Sequence, residues 1–117
     1  MVNYDVKKGE IYLVELSESK GSVQNGERPV AVVQNNVGNK FSTTIIVCPL
    51  TAQRKKKMPT HMSLTPEDCG VDRASTILCE QIITVSKEQI IKKIGEINSD
   101  ELMNMLNKKL AISLGLN

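Results

Sequence analysis

The spacing of apolar and polar positions along this chain changes period once, near residue 98. Before that point the signal is that of short strands. GEIYLVEL (9–16) is rich in β-branched and aliphatic residues and predicts a first strand. SESKGSVQNGE (17–27) is nearly all turn formers and too long for a tight hairpin, and long loops in compact domains tend to be functional. RPVAVVQN (28–35) predicts a second strand whose continuous apolar centre implies burial on both faces. NNVGNK (35–40) reads as a turn, and TTIIVCPL (43–50) as a third strand, with Pro49 near its end where a missing N–H is tolerated. TAQRKKKMPT (51–60) is a second polar loop and HMSL (61–64) a short strand leaving it. TPEDCGVDR (65–73) reads as a connection, STILCEQIITV (75–85) as one strand, and IKKIGEI (91–97) as the strand that closes the sheet.

Two capping signals punctuate this pattern. Ser86 with Gln89 predicts a single helical turn. Asn98 with Glu101 predicts the start of a helix, and Leu102, Leu106, Leu110 and Leu114 then recur every four residues. The result is a mainly β (α+β) chain of five or six strands and one amphipathic C-terminal helix. With so few strands, a small, partly closed barrel protects strand edges better than an open sheet. No repeat, linker or low-complexity segment interrupts it, so residues 1–117 read as a single domain.

Composition changes this picture little. The 117 residues are 40% hydrophobic and 24% charged, which argues against disorder, and the net charge of +2 is too small to imply a polyanionic partner. Its distribution says more. Up to residue 60 the chain holds nine Lys/Arg against five Asp/Glu, and beyond it six against eight, so positive charge clusters in the N-terminal half. Cys48, Cys69 and Cys79 are an odd count without CxxC spacing and read as free thiols, Cys48 and Cys79 as core filler. No signal peptide opens the chain and no apolar run reaches the ~20 residues of a membrane helix, so the expected compartment is the cytoplasm.

Exclusions narrow the chemistry. One histidine and no cysteine cluster leave no zinc site, and phosphate-binding glycine loops and a GxSxG elbow are missing. Polar residues at strand ends remain. Pro29 holds Arg28 extended at the mouth of the second strand. Thr51 directly follows the third, with RKKK (54–57) behind it. If these two strands pair as a hairpin, Arg28 and Thr51 face one cleft, a pair suited to a phosphodiester. Each residue also has a plain structural alternative: Arg28 pairing with Glu27 or Glu80, Thr51 capping a turn, RKKK a solvated loop, His61 an ordinary strand-end residue. Spacing alone stops at a small β-rich domain with an anion cleft.

KKGEIYLVEL, GSVQNGERPVAVVQNNVGN, CPLTAQ, PTH and LCEQI follow one another much as in the MazF/PemK/Kid toxin endoribonucleases, and the chain resembles the MazF branch of Gram-positive bacteria most closely. The resemblance implies an SH3-like antiparallel β-barrel with a C-terminal helix (the PemK/CcdB-like toxin fold), working as a homodimer. It implies metal-independent, cofactor-free cleavage of single-stranded mRNA at an ACA-containing site, with a cyclic phosphate and a 5′-OH as products. Arg28 and Thr51 match the family's catalytic positions, and Ser22, Gln53, Met58, Thr60 and Gln81 match RNA-contacting ones. The 51–60 loop departs from its relatives, being about one residue shorter and carrying RKKK. The implied partner is a MazE-like antitoxin laying an extended acidic segment over the RNA site.

RNA supplies its own nucleophile, the ribose 2′-OH, so a sparse set of groups is enough to align it and stabilise the phosphoryl charge. Guanidinium is a poor general base, and the residues leave open whether Arg28 acts as acid, base or electrostatic clamp. Two other readings share the fold: a CcdB-like gyrase inhibitor, which would act through the end of its C-terminal helix, and a non-catalytic SH3-like binding module.

Overall fold

The computed structural model describes residues 5–16, 26–52 and 57–116. Among these residues seven strands form: β1 (Glu10–Leu16), β2 (Gly26–Val32), β3 (Thr44–Thr51), β4 (His61–Leu64), β5 (Ser75–Leu78), β6 (Ile83–Ser86) and β7 (Ile90–Glu96). Three helices accompany them: α1 (Asn36–Phe41), α2 (Pro66–Cys69) and α3 (Asp100–Leu114). All strand pairs are antiparallel, and the ladder runs β4-β5-β3-β2-β1-β7, with β6 alongside β3. The mainly β antiparallel sheet with a C-terminal helix is as expected. Its closure is not: among the described residues no ladder joins β7 back to β4, and β7 pairs with β1 alone.

The strand alternation sorts the core onto two faces. Tyr12, Val14, Val30, Val32, Ile45 and Val47 form one cluster. Ile11, Ala31, Cys48, Leu50, Met62 and Ile77 form the other, on which α3 lays the fully buried Leu106. Val30, Ala31 and Val32 are all completely buried, so the continuous apolar run of β2 is explained by packing on both sides. Cys48 and Cys79 are free thiols inside this core, as expected, and hydrogen-bond to one another. That bond and burial push the Cys48 thiol above its usual range.

Three local readings are corrected. The 35–40 turn is the short helix α1, because the Asn35 side chain accepts from Gly38 N at 2.8 Å and caps it. Buried Asn39 holds that helix down, donating to Gln34 O at 2.9 Å and accepting from Gln34 Nε2 at 3.1 Å. The single strand 75–85 is two strands. Ile77 pairs with Leu50 and Ile83 with Val47, so the incoming segment has three residues more than β3 can match. The surplus loops out as a turn closed by Gln81 N on Leu78 O at 3.0 Å.

The third correction concerns the cap of α3, which is Ser99 rather than Asn98. Ser99 Oγ accepts from Leu102 N at 3.1 Å, while Asn98 Nδ2 donates to Glu67 O at 2.7 Å and ties the helix entry to α2. Ser99→Ala should lower unfolding free energy by about 1 kcal/mol. Urea denaturation reads this directly, and an unchanged midpoint would show that the cap contributes nothing. The Ser86–Gln89 capping box forms as expected, around a 3₁₀ turn at Lys87–Gln89.

Candidate functional site: a basic cleft at the end of the β2–β3 hairpin

β2 and β3 pair through Val30–Pro49, Ala31–Cys48 and Val32–Val47. Continuing that register by two places sets Arg28 opposite Thr51. Burial along β2 changes sharply at this point: Gly26, Glu27 and Arg28 are exposed, and Val30 is buried. The guanidinium therefore stands just outside the core, on a strand that is fully buried two residues later.

Arg28 and Thr51 line one cleft of about 380 Å³, together with Pro29, Leu50, Ala52, Val71, Asp72, Arg73, Ser75 and Ile94. The hairpin supplies one wall. The opposite wall is the segment 71–75, which the sequence pattern presented only as the end of a connection and the first residue of a strand. Pro66 starts α2, and Gly70, at φ 79°, ends it in the left-handed conformation that turns the chain toward the cleft. Val71 is buried in the core cluster and anchors the turn, and Ser75 Oγ donates to Arg73 O at 3.0 Å.

A second depression of about 330 Å³ adjoins the first through Thr51, Ala52 and Ser75. Ladder pairs Thr51–Thr76 and Thr76–Ser63 put a row of hydroxyls along it, with Lys57 and His61 at its margin. His61 is not a free strand-end residue. Its Nε2 lies 3.2 Å from Glu80 Oε2, and Thr60 Oγ1 donates to Glu80 Oε1 at 2.9 Å. Partial burial pushes the Glu80 carboxyl up, but hydrogen bonds from its own backbone, Thr60 and His61 prevail and hold it below the usual range. Glu80 is thereby taken up by Thr60 and His61, and among the described residues Arg28 forms no ion pair, with Glu27, Glu80 or any other carboxylate.

The other expected contact residues divide. Thr60 and Gln81 lie beside the Glu80 turn, outside the residues that line the two depressions, and Met58 is exposed just before β4. The Gln81 carboxamide oxygen is buried without a hydrogen-bond partner among the described residues. Ser22, Gln53 and most of RKKK lie outside the described residues. Arg73, Asp72 and Ser75 were missed. The only trace of them in the sequence is a charged pair just before a strand, and its meaning depends on β5 pairing with β3 at Thr51. Among the described residues no three His, Cys, Asp or Glu side chains gather as a metal site would require, and no helix is long and apolar enough to cross a membrane.

Comparison with known proteins adds three findings. Residues 7–114 match the family described as PemK-like, MazF-like toxin of type II toxin-antitoxin system. Endoribonuclease EndoA of Bacillus subtilis (strain 168) is 46% identical over 112 residues, covering 95% of this chain and 96% of the relative. Among solved structures, an endoribonuclease in complex with its cognate antitoxin from mycobacterial species superposes with a TM-score of 0.79 at 25% identity, covering 96% of this chain and 97% of that one. MazF from Deinococcus radiodurans shares the fold, with a TM-score of 0.78 at 19% identity over 96% of this chain and 98% of its own. The chain therefore belongs to the PemK-like, MazF-like toxins of type II toxin–antitoxin systems and is an endoribonuclease of that family.

Proposed function

We propose that the cleft between Arg28 and Thr51 holds the scissile phosphate of single-stranded mRNA and promotes attack by the neighbouring ribose 2′-OH. The observation that carries this reading is the β2–β3 register, which, continued by two places, brings to one cleft a guanidinium without an ion pair among the described residues and a hydroxyl. The 2′-oxygen forms a bond to phosphorus as the bond to the 5′-oxygen breaks. The proton lost from the 2′-OH passes to solvent, and the leaving 5′-oxygen takes one up. The products are a 2′,3′-cyclic phosphate and a 5′-OH, with no metal or cofactor needed to supply a nucleophile. Arg28 acts as a clamp, two N–H groups meeting phosphoryl oxygens as negative charge grows on them, and Thr51 donates a further hydrogen bond. DNA binds without being cut, because it lacks the 2′-OH.

Bases of an ACA-containing site are read largely by hydrogen bonds, since the chain has only Tyr4, Tyr12 and Phe41 as aromatics. Loop backbone and the side chains of Ser22, Gln53 and Gln81 make these hydrogen bonds, and Met58 and Thr60 contact the RNA from the loop that covers the bound strand. The protein works as a cytoplasmic homodimer, and a MazE-like antitoxin silences it by laying an acidic extended segment over the basic cleft. The mycobacterial relative solved with its cognate antitoxin supports that partner.

The test is incubation of pure protein with a long single-stranded RNA in EDTA, followed by sequencing of the new ends. Cutting at one short ACA-containing motif, with cyclic phosphate and 5′-OH ends, is expected. Cutting that requires added metal, or ends carrying a 5′-phosphate, would refute this chemistry.

A further inference from the structure

Among the described residues two guanidiniums line the reaction cleft, not one. Arg73 stands on the wall opposite the hairpin, on a turn fixed by buried Val71 and by the Ser75–Arg73 hydrogen bond. Like Arg28, it is exposed and forms no ion pair among the described residues. Like charges on one cleft repel, and a single phosphodiester carries only one negative charge. The arrangement suits a ligand with successive phosphates.

The cleft also continues. Val71, Asp72 and Ile94 are shared with a further depression of about 470 Å³ that contains Lys92 and Lys93. Lys93 is occupied, 2.9 Å from Glu10 and 3.1 Å from Glu96. Lys92 is exposed and has no ion pair among the described residues. Arg28, Arg73 and Lys92 thus mark one track along connected depressions, with Asp72 as the carboxylate set among them.

We propose that Arg73 binds the phosphate adjacent to the scissile one and Lys92 the phosphate beyond it, so that the RNA strand leaves the reaction cleft over Val71, Asp72 and Ile94. This rests on Arg28 and Thr51 holding the scissile phosphate. Arg73 then contributes equally to the ground and transition states, and its loss weakens binding without slowing the chemical step. Asp72 opposes the track electrostatically.

The experiment measures cleavage kinetics alongside anisotropy binding of an oligonucleotide carrying a 2′-deoxy sugar at the cut site, for the parent, Arg73→Ala, Arg73→Lys, Lys92→Ala and Asp72→Asn. Arg73→Ala should raise Kd and KM about tenfold, leave kcat within about twofold and flatten the salt dependence of log Kd by about 0.7, one phosphate contact on a single strand. Arg73→Lys should recover most of the affinity. Lys92→Ala should weaken binding about threefold, and Asp72→Asn should tighten it. Shortening the RNA from the end that lies on Arg73 should abolish the penalty of Arg73→Ala.

An unchanged Kd and salt slope in folded Arg73→Ala would overturn the proposal. So would a fall in kcat as large as that of Arg28→Ala, or a penalty that survives removal of both flanking phosphates. If the parent binds the 2′-deoxy oligonucleotide but does not cut the matching all-ribose RNA, the placement of the scissile phosphate fails, while the binding comparison still judges Arg73.

Discussion

Arg28→Ala should leave a folded protein whose kcat on single-stranded RNA is lower by about 1000-fold. The size of the effect follows from what the side chain does and does not touch. It is exposed at the start of β2, it packs into neither core cluster, and among the described residues it has no ion pair to lose. Truncation therefore costs little stability. On the proposed reading, what it removes is a double donor for the charge that develops in the transition state. Arg28→Lys keeps the charge but loses the fork, so it should restore part of the rate and remain at least tenfold below the parent. Thr51→Ala removes a single neutral donor and should cost about 100-fold. Single-turnover cleavage with melting curves of the same samples separates catalysis from folding. A Lys variant equal to the parent would remove the special role of guanidinium.

Gly95→Ala should destabilise the fold by about 3 kcal/mol, a drop of about 10 °C in Tm. A β-carbon on Gly95 would run into the backbone carbonyl oxygen of Cys69 and come within 3.2 Å of Val71 Cγ1. Neither neighbour is the free end of a flexible side chain. Cys69 O belongs to the last residue of α2, and Val71 is buried in the core. The strand and the α2 turn must move apart, and the turn carries Val71, Asp72 and Arg73 into the cleft. Loss of stability should therefore come with weaker RNA binding. Gly26→Ala is a useful contrast, because at Gly26 a β-carbon meets nothing within 4 Å and any cost comes from its φ of 78° alone. Equal and small losses in the two variants would show that the close approach at Gly95 is absorbed without strain.

Most elements were legible because they rest on local pattern. The apolar runs marked β1, β3, β4 and β7, and the four-residue leucine period marked α3. The misses share one cause. Asn35 caps a helix whose apolar residues Val37 and Phe41 stay exposed, so no buried periodicity announced it. STILCEQIITV has the composition of one strand throughout, and only the shorter matching length of β3 breaks it at Glu80 and Gln81. Asn98 and Ser99 are both good caps, and the contact of Asn98 with Glu67 decided between them.

By itself the sequence determined that this is a mainly β chain with a helical end, that Arg28 and Thr51 each stand at a strand end, and which family the chain resembles. These follow from side-chain period and from residues near each other along the chain. The tertiary structure alone decided that no ladder closes the sheet among the described residues, that α2 and the 71–75 turn form the second wall, and that Arg73 and Lys92 join Arg28 along connected depressions. The physical reason is separation: Arg28, Arg73 and Lys92 belong to different elements, and only the pairing of β5 with β3 and the close approach of β7 to α2 at Gly95 bring them to one surface.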